Sequence, residues 1–322
     1  MSPGAWKRSR DRFLYLSDVW SALPSRDVVV VADERVLKLH PRLARNLKGR
    51  PVIKVRAGEG AKSVRTLEKL TVAALAFPRK VTVVAIGGGT IGDLVTVFAH
   101  VFKRGVARLI HVPTTLLAAV DSSVGGKGAL NVAGAKNVLG VFHAADECWL
   151  IPELFETLTE AQRREGRIEA LKMVVTLDAR KWASWREGLP DDAAVIRIAR
   201  ALKNDVVDRD PYETKGLRTV LNFGHTFGHV IESLSNYRVR HGEAVGLGML
   251  YALDEGVRRG VTPKPLADAV EAVLPVKRAA LAPWLAPKFR ARVKRLLAAD
   301  KKGAWVLLEA PGRVRIVPFE AR

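Results

Sequence analysis

A single cysteine, Cys148, stands among 322 residues, so no intramolecular disulfide can form and the chain suits a reducing compartment, with the cytoplasm the expected location. No stretch holds the roughly 18 or more apolar residues of a membrane span. The basic start MSPGAWKRSRDRFLYL is not followed by the apolar segment of a signal peptide, so a soluble protein with no membrane partner is expected. Internal repeats, low-complexity tracts and linker-like Gly/Ser runs are also missing, which excludes a repeat architecture or domains on a flexible tether. Acidic residues are few: 33 Asp and Glu face 53 Lys and Arg, a net charge of +20. Such a balance can attract nucleic acid, but the positive residues are scattered rather than gathered in one stripe with interleaved aromatics. A basic surface serving an anionic small substrate is the expectation, and nucleic acid is not an expected partner.

What is present is apolar material, 48% of the residues, enough for a sizeable core in two lobes. Short β-branched runs, DVVVVAD (27–33), PVIKVRA (51–57), KVTVVAIGGG (80–89) and LIHVPTT (109–115), alternate with helical patterns such as that near 62–76, which predicts βαβ units and a largely parallel sheet. Beyond about residue 150 the texture changes. Segments 152–178, 192–208, 217–235, 241–259, 264–273 and 287–299 carry helical spacing, and only WVLLE (305–309) and VRIV (314–317) read as strands. The division expected is an α/β domain over 1–150 and a helical domain over 151–322, with a site in the cleft between them.

Gly87-Gly88-Gly89-Thr90-Ile91-Gly92-Asp93 follows a strand and opens a helix, where bare backbone and free helix N–H groups can approach a pyrophosphate; three glycines there also suit a plain tight turn. Pro113-Thr114-Thr115 ends the next strand, at the ligand-binding edge of an open parallel sheet. Residues 121–137, DSSVGGKGALNVAGAKN, are too rich in glycine for an ordinary helix or strand and read as a ligand-wrapping loop with Lys127 and Lys136 as anion contacts. In NFGHTFGH, His225 and His229 stand four apart on one helical face, and His241 follows in HGE. Glu169 and Lys172, three apart, also share a face. Three histidines and a glutamate suffice for a divalent metal with open positions, and spacing alone nominates both His225 and His229 as ligands.

Together these segments resemble the dehydroquinate synthase family, within the sugar phosphate cyclases, from about Asp33 to Lys302. The runs GGGTIGDL, RGV, VPTTLLAAVDSSVGGK, GAKN, LRTVLNFGHTFGH and HGEAV occur in family order and at family-like spacing. The resemblance implies an α/β fold with an N-terminal Rossmann-like NAD-binding domain followed by a mainly α-helical domain for metal and substrate. It implies Glu169, His225 and His241 as ligands of zinc or cobalt, with His229 a catalytic histidine instead. Asp33, Glu59, Lys62, Gly88, Gly89, Asp93, Thr114, Thr115, Lys136 and Asn137 match NAD-binding positions. Asp121, Lys127, Lys172, Lys203, Arg218 and Asn222 match catalytic and substrate positions, and Arg104 matches one that reaches a neighbouring subunit's site in a homodimer. Three departures stand out: Gly128 replaces the usual threonine after GGK, GRIEALKMV replaces GLAEVIKYG, and the connection after Asp300-Lys301-Lys302 is short.

The family's substrate is 3-deoxy-arabino-heptulosonate 7-phosphate, a carboxylate and a phosphate on one molecule, so several Lys and Arg are physically required. The implied reaction, a step in aromatic amino acid biosynthesis, oxidises a secondary alcohol with NAD, eliminates phosphate, returns the hydride and closes a carbocycle by an aldol step. Rivals are a sister cyclase taking sedoheptulose 7-phosphate or glucose 6-phosphate and an NAD- and metal-dependent polyol dehydrogenase. The SSVGGK and NFGHTFGH runs speak against the dehydrogenase, and the set Lys127, Arg218, Asn222 and His229 favours the acid phosphate.

Overall fold

A computed structural model describes residues 6–19, 21–23, 27–77, 80–102, 104–298 and 303–319. The chain forms two compact units, Met1–Arg163 and Arg164–Arg322, so residues 151–163 group with the first.

The first unit holds β1 (Arg10–Phe13), β2 (Val28–Asp33), α1 (Glu34–Leu39), α2 (Pro41–Asn46), β3 (Val52–Val55), α3 (Val64–Ala74), β4 (Val81–Gly87), α4 (Gly89–Val101), β5 (Val106–Pro113), β6 (Lys127–Val132), β7 (Ala135–Phe142) and β8 (Glu147–Leu150). Six strands make one sheet in the order β1-β8-β5-β4-β2-β3, and every pairing in it is parallel. All residues of β2 and β4 are buried, because helices cover both faces of such a sheet. Alternation sorts the side chains: Val29 and Val31 join a core with α3 and α4, whereas Val28, Val30 and Ala32 join one with Val36 and Leu43 of α1 and α2.

The segment 121–137 corrects the loop expected there. It holds the end of a π-helical turn, Ala118–Ser122, and then an antiparallel hairpin of β6 and β7. Glycine is tolerated in β6 because close packing needs it: a Cβ on Gly128 would lie 2.6 Å from Thr96 of α4 and 2.9 Å from the Asp93 carbonyl.

On β8, the buried Glu147 gathers Arg10, Arg12 (3.4 Å) and Arg108 (2.7 Å), and accepts from Trp149 Nε1 at 2.7 Å. Burial pushes this carboxyl up, but the bonds from Trp149, Arg10 and Arg108 outweigh it and hold it at about 2, against an ordinary 4.5. A depressed carboxylate stabilises the fold above its unfolded pKa and loses that contribution as pH falls through the folded one. Glu147→Gln should therefore melt lower than the parent at pH 7, and the gap should close between pH 4.5 and about 2. Melting curves across that range check it.

The second unit contains α5 (Glu160–Leu177, all but its first turn), α6 (Ala179–Glu187), α7 (Asp192–Arg209), α8 (His225–Leu234), α9 (His241–Arg258), α10 (Lys264–Val273), α11 (Arg290–Ala298) and an antiparallel hairpin, β9 (Ala304–Ala310) and β10 (Arg313–Pro318). Helix α6 carries no long apolar stripe to announce it; it is N-capped by Asp178 and buries only Trp182 and Trp185. The helical span expected over 217–235 is broken. A 3-10 turn, Leu217–Asn222, is followed by Gly224 at φ 80, a left-handed conformation suited to glycine, and only then by α8.

Close contacts then bring three helices together. A Cβ on Gly248 of α9 would lie 2.0 Å from the Gly224 carbonyl, and one on Gly242 would lie 2.5 Å from the Glu165 Cα of α5. Because only glycine permits these approaches, the starts of α8 and α9 meet the middle of α5, and His225 and His241 come to face Glu169.

Candidate active site

Ligand atoms of Glu169, His225 and His241 lie within 4.8 Å of one another. The Nε2 atoms of His225 and His241 stand 3.6 and 3.4 Å from Glu169 Oε1. That oxygen is buried with no hydrogen-bond partner, while Oε2 accepts from Lys172 Nζ. Burial would raise the Glu169 carboxyl, but the Lys172 charge and then His241 keep it ionised, at about 2. A buried anionic oxygen that makes no hydrogen bond and faces two imidazole nitrogens is the arrangement a divalent cation satisfies.

Glu232, three residues after His229 on the same helix, was not nominated from the sequence, although its spacing from His225 and His229 carried the signal. Its Oε2 lies 3.3 Å from His241 Nδ1, so it fixes the ring that turns Nε2 toward Glu169. Burial would lower the His241 imidazolium, yet Glu169 and Glu232 together push it up to about 10, a measure of how strongly this pocket favours positive charge. His229 is outside the ligand group. Its ring centre lies 5.5 Å from that of His225 and 6.3 Å from that of His241, and the side chain is exposed.

Lys172, Lys203 and Arg218 are buried in the same unit, and Asn222 is half-buried at the end of its 3-10 turn, which packs on α7. Arg218 donates from Nη1 to the Pro211 carbonyl at 2.9 Å and pairs with Glu213 at 3.3 Å. The loop carrying it is organised by Asp210, another residue not nominated, which accepts the backbone N–H groups of Lys215 (3.1 Å) and Leu217 (3.0 Å).

In the first unit, the glycine turn and the threonine turn lie side by side: β4 pairs with β5 as far as Gly87 and Pro113, and Thr114 donates its N–H to the Gly87 carbonyl at 3.0 Å. A Cβ on Gly88 would meet Thr115 at 3.2 Å, and one on Gly89 would meet Ser122 Oγ at 3.0 Å. Helix α4 starts with no side-chain cap, and the buried Thr114 hydroxyl has no hydrogen-bond partner. Thr115 Oγ1 accepts from the Ala118 N–H at 3.1 Å. Bare glycine backbone, an uncapped helix start and an orphaned hydroxyl suit an anionic dinucleotide.

Beside this turn a second polar group forms. Lys62 Nζ lies 2.7 Å from Asp93 Oδ2 and donates to Asn137 Oδ1 at 2.6 Å, while Lys136 Nζ stands 3.9 Å from Glu59. Burial pushes the Asp93 carboxyl up, against the opposing pull of Lys62. Asn131, unremarked in the sequence, bridges Glu59 and Asn137. Asp121 adds a repulsion that helps to raise the Asp93 carboxyl. Asp33 caps α1 by accepting from the Arg35 N–H at 3.0 Å, Asp121 lies in the π-helical turn, and Lys127 is exposed with Nζ 6.0 Å from the Phe142 ring centre. Arg104 donates to the Leu75 carbonyl at 3.2 Å; Asp300-Lys301-Lys302 lie outside the described residues, and the short connection after them is Gly303, which leads into β9 at Ala304.

One unit carries a parallel sheet with a glycine turn at its strand ends, and the other is helical with a Glu/His/His cluster that could hold a metal ion, which together define a two-unit α/β and helical fold. The N-terminal domain of 3-dehydroquinate synthase matches residues 52–165 and the C-terminal domain matches residues 166–303, and the chain belongs to the 3-dehydroquinate synthase family. It is 35% identical over 324 residues to the 3-dehydroquinate synthase of Lactiplantibacillus plantarum, covering 94% of this chain and 88% of that one. Against the Endomicrobium trichonymphae 3-dehydroquinate synthase it is 39% identical over 239 residues, covering 70% of this chain and 66% of the relative. A 2-epi-valiolone synthase of Actinosynnema mirum is 37% identical over 269 residues, covering 78% and 70%. The fold is shared with a 2-deoxy-scyllo-inosose synthase solved with carbaglucose-6-phosphate, NAD+ and Co2+, at a TM-score of 0.83 and 24% identity, over 97% of this chain and 96% of that one.

Proposed function

We propose that the chain performs the 3-dehydroquinate synthase reaction, converting 3-deoxy-arabino-heptulosonate 7-phosphate to 3-dehydroquinate and phosphate. The observation that carries this reading is the orphaned Glu169 oxygen beside Lys172, in a unit that also buries Lys203 and Arg218, since buried cations in the unit that holds a metal donor set suit a polyanionic, hydroxyl-bearing substrate. Glu169, His225 and His241 would hold zinc or cobalt, which supplies Lewis acidity toward the substrate's hydroxyl and developing carbonyl oxygens. Gly88, Gly89, Thr114 and Thr115, with Glu59, Lys62, Asp93, Lys136 and Asn137 beside them, would hold NAD, which supplies a hydride acceptor restored each turn.

The chain's own groups bind and orient. Glu169 pins Lys172, so its ammonium is held in place before substrate arrives. The exposed imidazole of His229 is free of metal duty and can exchange a proton with a substrate oxygen. Arg218 offers a planar fork to carboxylate or phosphate, with Asn222 beside it in the second unit, while Lys127 and Asp121 are taken as polar contacts supplied by the first. No dedicated base is required for elimination, because the substrate phosphate can accept the proton while the protein fixes the geometry.

We further take the protein to work in the cytoplasm as a homodimer, with Arg104 serving the partner's site; among the described residues no helix is long and apolar enough to cross a membrane. The identity shared with the Actinosynnema mirum relative favours one alternative, a sister cyclase reaction on a sugar phosphate without a carboxylate. A cyclase of either kind restores its cofactor. Substoichiometric NAD should therefore support many turnovers with no lasting rise in absorbance from NADH. Accumulation of NADH in step with product would instead identify a dehydrogenase.

A further inference from the structure

The hairpin of β6 and β7 does not pair evenly. Leu130 faces Leu139 and Val132 faces Ala135, so Lys136, Asn137 and Val138 bulge opposite Asn131 alone. Asn137 lies at φ 55, a left-handed conformation that asparagine tolerates better than most residues and that a hydrogen bond to its N–H can fix. Asn131 supplies it. Its Oδ1 accepts the Asn137 N–H at 2.9 Å, and its Nδ2 donates to the Glu59 carbonyl at 3.1 Å and to Glu59 Oε2 at 2.8 Å. The Asn131 N–H also donates to the Lys62 carbonyl at 2.7 Å, setting the strand against the 59–62 turn. A short carboxamide offers two N–H donors and an acceptor at once, which neither a hydroxyl nor a carboxylate does.

We propose that Asn131 is the positioning residue of the nucleotide site: one amide clamps the Glu59–Lys62 turn to the Lys136–Asn137 bulge, so that residues far apart in the chain present a single preformed surface to the cofactor. Asn131 itself need not touch the cofactor. The Asn137 side chain, once its backbone is held, accepts from Lys62 and keeps that ammonium beside Asp93. Aspartate at 131 would keep the acceptor for Asn137 but set a carboxylate against Glu59, losing the donor and adding repulsion. The inference rests on the NAD reading above.

The test is calorimetric titration of NAD into the purified parent, Asn131→Ala and Asn131→Asp, with metal content and melting temperature measured on each. The dissociation constant should rise about tenfold or more in the alanine variant, as for loss of one or two structured hydrogen bonds, and further in the aspartate variant. Metal content, set by the other unit, should hold, and the KM for NAD should rise more than kcat falls. A structural residue alone would lower the melting temperature and leave the constant unmoved, and an unmoved constant in the soluble, near-isosteric Asn131→Asp protein overturns the proposal. Failure of the parent to bind NAD would overturn the NAD reading instead.

Discussion

Replacing His225 with alanine should strip the protein of most of its divalent metal and lower turnover by about a thousandfold or more, the scale of several kcal/mol of lost charge stabilisation. His229→Ala, one helical turn away, should keep its metal and still lose about a hundredfold or more in kcat, the scale of a general acid–base group. The contrast follows from geometry. His225 Nε2 faces the orphaned Glu169 oxygen, and its partner His241 is braced by Glu232, whereas the His229 ring lies outside that group and is exposed. Metal analysis on the purified variants, with steady-state rates beside it, separates the two roles. Metal loss in His229→Ala with metal retained in His225→Ala would reverse the assignment.

The second large effect concerns the substrate's charge. A carboxylate taken from water must find charged donors, and losing one such bond costs about 1.5–3 kcal/mol. Arg218 is buried, bonded to the Pro211 carbonyl and Glu213, and held on a loop that closes around Asp210, so its guanidinium is preorganised. Arg218→Ala should lower kcat/KM for the acid phosphate by about ten- to a hundredfold or more, with metal content and NAD affinity nearly unchanged. A fall of less than threefold, or a matching loss of metal, would show that Arg218 serves the fold and leave substrate recognition to other cations.

Four strands of the parallel sheet, β2 to β5, were legible as β-branched runs, whereas β1 (RDRF) and β8 (ECWL) carry no such run. Most helices of the second unit, though not α6, were legible from their spacing. The β6–β7 hairpin was not: its strands, KGALNV and AKNVLGVF, carry Gly, Lys and Asn, and they hold as strands because Gly128 lets β6 lie against α4. The ligand set was half legible. Spacing put His225 and His229 on equal terms, and the close crossing of α9 over α8 at Gly224 and Gly248 is what turns His241 toward the first and not the second. Asn131 and Asp210 escaped notice because their roles lie in partners that the local sequence does not display, whereas Glu232 stood at helical spacing from His229 and could have been read.

The central claim is that this pocket cyclises an acid phosphate, and phosphate release measures it directly. The parent protein, supplied with NAD and zinc or cobalt, should release phosphate from 3-deoxy-arabino-heptulosonate 7-phosphate at a kcat/KM at least about a hundredfold above that for sedoheptulose 7-phosphate, whose missing carboxylate leaves cationic donors unpaired. Chelator should abolish the release, and added metal should restore it. Faster release from sedoheptulose 7-phosphate, or full activity without metal, would contradict the account.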